Sequence, residues 1–248
     1  MEFIDVQTGF GGFVPGQPEV HSAKGLAAAL KRAGIKQALA RIVPEANDFD
    51  LVHSNAFLYA QCNACKGLIP RPVVAPDAVG DLGGAEHQVQ AAIEEGAGAA
   101  VLRPVPDYWT AEPWACKDIM TALGKRKLPA YTTEKLISVE QFARLAEAFP
   151  DTVFIYAGLN YRALRTYIPL MQAFPNVYLS IGCGFNFHAG LQLIAGKLGV
   201  DRLLFGSGLP SSEPCSAISE LMYSGLDKAS ITKIASGNFK KLMRGIRK

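Results

Sequence analysis

Cys183 and His188 stand five residues apart in the segment GCGFNFH. A thiol beside an imidazole is the pairing that activates a sulfur nucleophile. The spacing does not by itself bring them within hydrogen-bonding reach, so the alternative is that His188 lines a pocket in a lesser role. Arg41 and Arg103 each close an apolar segment. Two guanidinium groups aimed into one space suit a carboxylate or a phosphate, which they grip through paired N–H donors. The alternative is that each pairs with a loop acid such as Asp48 or Asp107. Arg71 is a weaker candidate, because it lies inside an apolar run and has no set direction. Cys62 and Cys65 form a C-x-x-C, but no second pair completes a four-thiolate zinc site and no strand leads into it. They read as reduced structural thiols on a helix mostly buried on one face. His21, His53 and His87 read as surface or packing residues. Tyr108, Trp109 and Trp114 crowd the segment PDYWTAEPW, which suits a lid, a stacking platform, a core cover or a subunit contact.

These groups need elements to position them, and one rhythm runs along the chain. Apolar segments rich in Val, Ile, Leu and Phe alternate with stretches of helical period. The segments 3–7, 36–43, 68–75, 99–103, 129–133, 153–157, 177–181 and 202–206 read as strands. Between them SAKGLAAALKRAG, EHQVQAAIEEG, WACKDIMTALGKRK, SVEQFARLAEAF, YRALRTYIPLMQAF and FHAGLQLIAGKLG read as helices, several closed by Gly or followed by Pro. Near-continuous apolar strands are buried on both faces, which implies a parallel sheet. Eight such units in 248 residues predict an α/β fold, a (β/α)8 TIM barrel forming one domain over residues 1–248. An open doubly wound sheet is the rival, but GFGGF at 9–13 lacks the phosphate-turn spacing.

Composition narrows the function. With 25 basic and 22 acidic residues the net charge is +3, which argues against a dedicated nucleic-acid binder. The basic ending KKLMRGIRK reads as cations favoured at a helix C-terminus. No apolar run reaches the roughly 20 residues of a membrane span, and MEFIDVQTGFGG has no basic n-region of a secretory signal. The expectation is a soluble, cytoplasmic protein. In a barrel, chemistry gathers at the C-terminal ends of the strands. Those ends carry Gln7, Gly9, Arg41, Arg71 or Pro76, Arg103, Thr132, Thr133, Gly158, Asn160, Gly182, Cys183, Ser207 and Gly208, with Asp48, Asp107, Glu134 and Glu213 on nearby loops.

Several motifs carry a resemblance. FIDVQTGFG is similar to the opening of amidohydrolase-superfamily barrels, where an apolar strand runs into Asp, one residue, then His-x-His. DRLLFGSGLP resembles that superfamily's last strand, which ends Phe-Gly-Ser-Asp-x-Pro, and SGNFKKLM resembles its closing helix. FPDTVFIYAGLN and FPNVYLSIG correspond to its sixth and seventh strands. The likeness is nearest to the amidohydrolase-related branch that includes aminocarboxymuconate semialdehyde decarboxylase, and it spans nearly the whole chain. The resemblance implies a metal-dependent hydrolase or carbon–carbon lyase and leaves room for a homodimer. It also assigns metal ligands to Gln7 and Gly9, to Thr133 or Thr132, to Gly158 and to Gly208, none of which is an imidazole or a carboxylate. Glycine has no donor atom, and neutral Gln and Thr oxygens do not replace those ligands.

The expectation is therefore an amidohydrolase-like barrel with a degenerate, metal-free site and no cofactor. It keeps a pocket for a small metabolite, an anion if the arginines take part. The binding candidates are Gln7, Arg41, Arg103, Thr133, Asn160 and Ser207, and the weak catalytic candidates are Cys183 and His188. One alternative is a metal-independent hydrolase or decarboxylase acting on a small carboxylate or lactone through His188, Cys183 or a loop Glu. Another is a non-catalytic structural or assembly partner. An ordinary metal hydrolase comes last.

Overall fold

Ten short strands alternate with helices in a computed structural model that describes residues 1–11, 18–43, 50–185 and 188–248. The strands are β1 (Ile4–Asp5), β2 (Phe10–Gly11), β3 (Gln37–Ala40), β4 (Ile42–Val43), β5 (Leu68–Pro70), β6 (Ala100–Val101), β7 (Ala130–Thr133), β8 (Phe154–Ala157), β9 (Val177–Ile181) and β10 (Leu203–Phe205). β1, β3 and β5 pair in that order, β6 to β10 form a second run, and every pairing is parallel. Two seams join the runs. Val6 N donates to Phe205 O at 2.9 Å and Gly208 N to Gln7 O at 3.0 Å. On the other side Gly98 N donates to Pro70 O and Val101 N to Pro72 O, while Val73 bridges Val101. The ring of eight strands is closed, which is the (β/α)8 barrel that the alternation predicts. β2 and β4 pair separately, each just beyond the tip of a barrel strand.

The ladders are shorter than the apolar runs that announced them. In the run 68–75, Pro70 and Pro72 have no N–H to give, and the regular strand stops at Pro70. The helices are α1 (Ala23–Arg32), α2 (Leu51–Asn63), α3 (Ala85–Glu94), α4 (Lys117–Arg126), α5 (Val139–Ala148), α6 (Leu164–Ala173), α7 (Gly190–Leu198), α8 (Pro214–Met222), α9 (Lys228–Thr232) and α10 (Asn238–Gly245). Ser22 and Ser138 cap α1 and α5 by accepting from the backbone N–H three residues on. Ile4, Val6, Leu39, Val101, Ile155 and Leu204 fill the barrel interior, and Phe239 and Leu242 of α10 pack with them. A larger apolar layer lies between strands and helices.

One expectation about an element needs correction. α2 forms where the C-x-x-C segment reads as helical, yet only Leu58 and Cys62 are fully buried, while Val52 and Phe57 are more than half exposed. Its apolar residues are spread around the helix, so no single face can bury them all. Among the described residues no helix is long and apolar enough to cross a membrane.

Candidate functional site

The end of β1 is held from below by Asp5. This carboxyl is fully buried, and its Oδ1 accepts from Gln7 N at 2.9 Å and from Ser207 N at 3.0 Å. It therefore ties the first barrel strand to the last. Burial raises its pKa, against the pull of the Ser207 and Gln7 hydrogen bonds and of Arg71. Above it opens a cavity of about 290 Å³ at the C-terminal ends of the strands, where a barrel carries its site.

Gln7, Gly9, Arg41, Arg71, Tyr131, Thr133, Glu134, Gly158, Ser180 and Gly208 line this cavity with neighbouring loop residues. Arg71 follows β5 and turns inward. Its Nη1 donates to Val6 O at 3.2 Å and its Nη2 to Thr8 O at 3.0 Å, while its guanidinium carbon lies 3.7 Å from the centre of the Tyr131 ring. The side chain is 1% exposed, so this cation is fixed by two carbonyls and an aromatic face. Arg41 lines the same space beside it. Burial pulls its pKa down to about 10, Arg71 adds to that pull, Tyr131 opposes it, and Arg103 adds a little more. It stays charged at neutral pH.

Of the other binding candidates, Gln7 and Thr133 reach the cavity, and Gln7 Oε1 accepts from Ser180 Oγ at 3.3 Å. The placement of the rest differs. Arg103 is buried in a two-pronged ion pair with Asp107, Nη2 to Oδ1 at 2.6 Å and Nε to Oδ2 at 3.1 Å. With Arg41 and Arg71 it lines a void of about 20 Å³ beside the main cavity. The loop acid took the guanidinium because two buried charges four residues apart neutralise each other locally. Ser207 is buried in the wall and accepts from Leu209 N at 3.1 Å. Asn160 accepts from Arg162 N at 3.0 Å, capping the short turn Tyr161–Ala163, and does not line the cavity. His188 is exposed in a separate groove with Gln192, Glu220 and Tyr223. Asp48 and the Cys183 side chain lie outside the described residues. Tyr108 and Trp114 are 94% and 80% exposed. Cys62 is a buried thiol pushed up to about 12 by desolvation first and by Cys65 second.

Tyr131 and Ser180 line the cavity although the sequence reading did not single them out, and Glu134 has a partner that reading did not give it. Tyr131 shares the inward face of β7 with Thr133, two positions on, and that parity was the available signal. Ser180 on β9 had no comparable cue. Glu134 was noted only as a loop acid, yet its Oε2 accepts from the buried Tyr167 hydroxyl at 2.5 Å. Tyr167 lies 33 residues further on, so no local pattern connects the two.

The positions where the resemblance puts metal ligands do not fit a divalent metal. Among the described residues no group of three or more His, Cys, Asp or Glu side chains is placed to hold an ion. A Cβ on Gly9 would lie 2.6 Å from Val43 Cγ2, so a bulky ligand there would need the β4 side chain to move. Gly158 and Gly208 adopt φ of +76° and +80°, a backbone that other residues rarely take. Arg71 and Arg41 add positive charge that repels a cation.

A family model described as Amidohydrolase matches residues 13–244. No curated protein matches the sequence. Among solved structures, the uncharacterised TIM-barrel protein Bb4693 from Bordetella bronchiseptica superposes with a TM-score of 0.74 at 17% identity, covering 99% of both chains. The 5-carboxyvanillate decarboxylase LigW from Sphingomonas paucimobilis gives 0.73 at 11% identity, over 98% of this chain and 99% of that one. The dihydroxybenzoic acid decarboxylase from Polaromonas sp. JS666, solved with manganese and 2-nitroresorcinol, gives 0.73 at 16% identity over 98% and 97%. At these identities the likeness is one of fold.

Proposed function

The chain belongs to the amidohydrolase family, and from that premise we propose that its barrel mouth binds a small anionic metabolite without a metal. The observation that carries this reading is the floor of the cavity. Two guanidinium groups, Arg71 and Arg41, reach it from adjacent strands, and Arg71 is already held in place by Val6 O, Thr8 O and Tyr131. A buried cation fixed before the ligand arrives needs little reorganisation to receive a carboxylate or a phosphate. Gln7, Thr133 and Ser180 supply neutral hydrogen bonds around it. A volume of about 290 Å³ suits a metabolite rather than a polymer.

Isothermal titration against small carboxylates, 2-oxo acids and phosphorylated metabolites tests the reading. We expect at least one to bind, and Arg41→Gln to weaken it by about tenfold or more, as loss of a charge-assisted hydrogen bond does. Silence across the panel would overturn the proposal. Metal content is the companion measurement. After exposure to zinc and manganese and desalting, mass spectrometry should find close to no bound ion, and one ion per chain would restore the metal-dependent alternative.

A further inference from the structure

We propose that this cavity is also a proton-transfer site, in which Glu134 removes a proton from the carbon next to the carbonyl of a small 2-oxo carboxylate. The inference rests on the anion-binding reading of the same cavity and adds a reaction to it. Among the described residues Glu134 is the carboxylate that lines the cavity, and the cations Arg71, Arg41 and Lys135 line it too. The acid comes from the end of β7, whereas the arginines come from the ends of β3 and β5.

Tyr167 decides what Glu134 can do. Its hydroxyl donates to Glu134 Oε2 at 2.5 Å, and its ring is 1% exposed and packs edge-on to Tyr156. Burial, and after it the Glu134 carboxylate, hold the phenol proton more tightly than usual. Tyr167 is therefore a lasting donor that positions one oxygen and leaves Oε1 to accept a proton. A carboxylate is too weak a base for an ordinary C–H. It suffices where an adjacent carbonyl acidifies the carbon and cations receive the charge that develops on oxygen. A 2-oxo acid meets both needs, since its carboxylate and its carbonyl oxygen lie side by side and match two guanidinium groups.

The step balances without a co-reactant. The C3–H bond breaks, the proton goes to Glu134 Oε1, and the electron pair forms the C2–C3 double bond of an enolate whose oxygen faces the arginines. Return of the proton to C3 restores the acid, and in heavy water the returned hydrogen is deuterium.

The test follows the C3 proton signals of pyruvate, 2-oxobutyrate and 2-oxoglutarate by NMR in heavy water, with binding measured separately by calorimetry. We expect the wild-type protein to accelerate exchange of at least one of them by about 100-fold over buffer. Glu134→Gln should cut that acceleration by a factor on the order of 10² to 10⁴ while the acid still binds, and Glu134→Asp should keep part of it. Tyr167→Phe should lower exchange at saturating acid and leave the dissociation constant unchanged, a split that general unfolding does not produce. Binding with exchange at the buffer rate would overturn the proton transfer and leave the anion site standing. Absence of binding by all three acids would overturn the proton transfer, and silence of the wider panel would overturn both. Full exchange by Glu134→Gln would remove Glu134 as the base.

Discussion

Asp107→Asn tests what the buried Arg103–Asp107 ion pair contributes to stability. In the folded protein the Arg103 and Asp107 side chains are 2% and 6% exposed and meet through two charge-assisted hydrogen bonds, at 2.6 and 3.1 Å. Arg41 feels the charges of both Arg71 and Arg103. Asparagine keeps the shape of the side chain and one oxygen acceptor but removes the negative charge that faces Arg103, next to Arg41 and Arg71. Removing one partner of a buried pair costs about 3–5 kcal/mol, and the retained acceptor places this variant near the lower end, about 3 kcal/mol. For a protein of this size each kcal/mol corresponds to roughly 2–4 °C, so the midpoint should fall by about 6–12 °C. Circular dichroism melts of the wild type and the variant at matched pH and salt measure this. Replacing both partners, Arg103→Met with Asp107→Leu, should recover most of the loss, because the desolvation cost then disappears with the charges. A melt of Asp107→Asn within about 2 °C of wild type would refute the claim that this buried pair stabilises the fold.

Two further outcomes follow from buried groups. The raised pKa of Asp5 means that the folded chain holds this proton to higher pH than the unfolded chain does. Its contribution to stability is greatest below the unfolded value and falls as pH rises from there through the folded value. Asp5→Asn, whose oxygen can still accept from Gln7 and Ser207, should therefore gain stability relative to wild type as pH rises across that window, read as the difference between paired denaturation curves. A difference that stays flat or runs the other way contradicts the assignment. Burial pushes the Cys62 and Cys116 thiols up to about 12, whereas Cys215 is exposed. At pH 8 an electrophilic thiol reagent should label Cys215 in the native protein and reach Cys62 and Cys116 only after denaturation, with peptide mass spectrometry locating the label. Rapid native labelling of Cys62 or Cys116 would contradict their burial.

Much of the architecture was legible in the chain because a parallel barrel writes itself in hydrophobic runs. Strands covered on both sides, such as Phe154–Ala157 and Leu203–Phe205, must be largely apolar, and the helices between them carry a buried stripe. The tips of those runs then named Gln7, Arg41 and Thr133, all of which reach the cavity. Direction and partnership were not legible. Arg71 follows a strand broken by prolines, and only closure of the barrel brings the Val6 and Thr8 carbonyls and the Tyr131 ring around its guanidinium. Arg103 was an equal candidate by position, but the turn after β6 folds Asp107 back onto it. His188 was near the mouth in sequence, and the start of α7 carries it to another groove. The Glu134–Tyr167 contact joins residues from separate units of the barrel. Periodicity records how much of each segment is buried, which is local. Which way a polar side chain turns and what it meets depend on strand register and ring closure, and these exist only once distant segments have packed together.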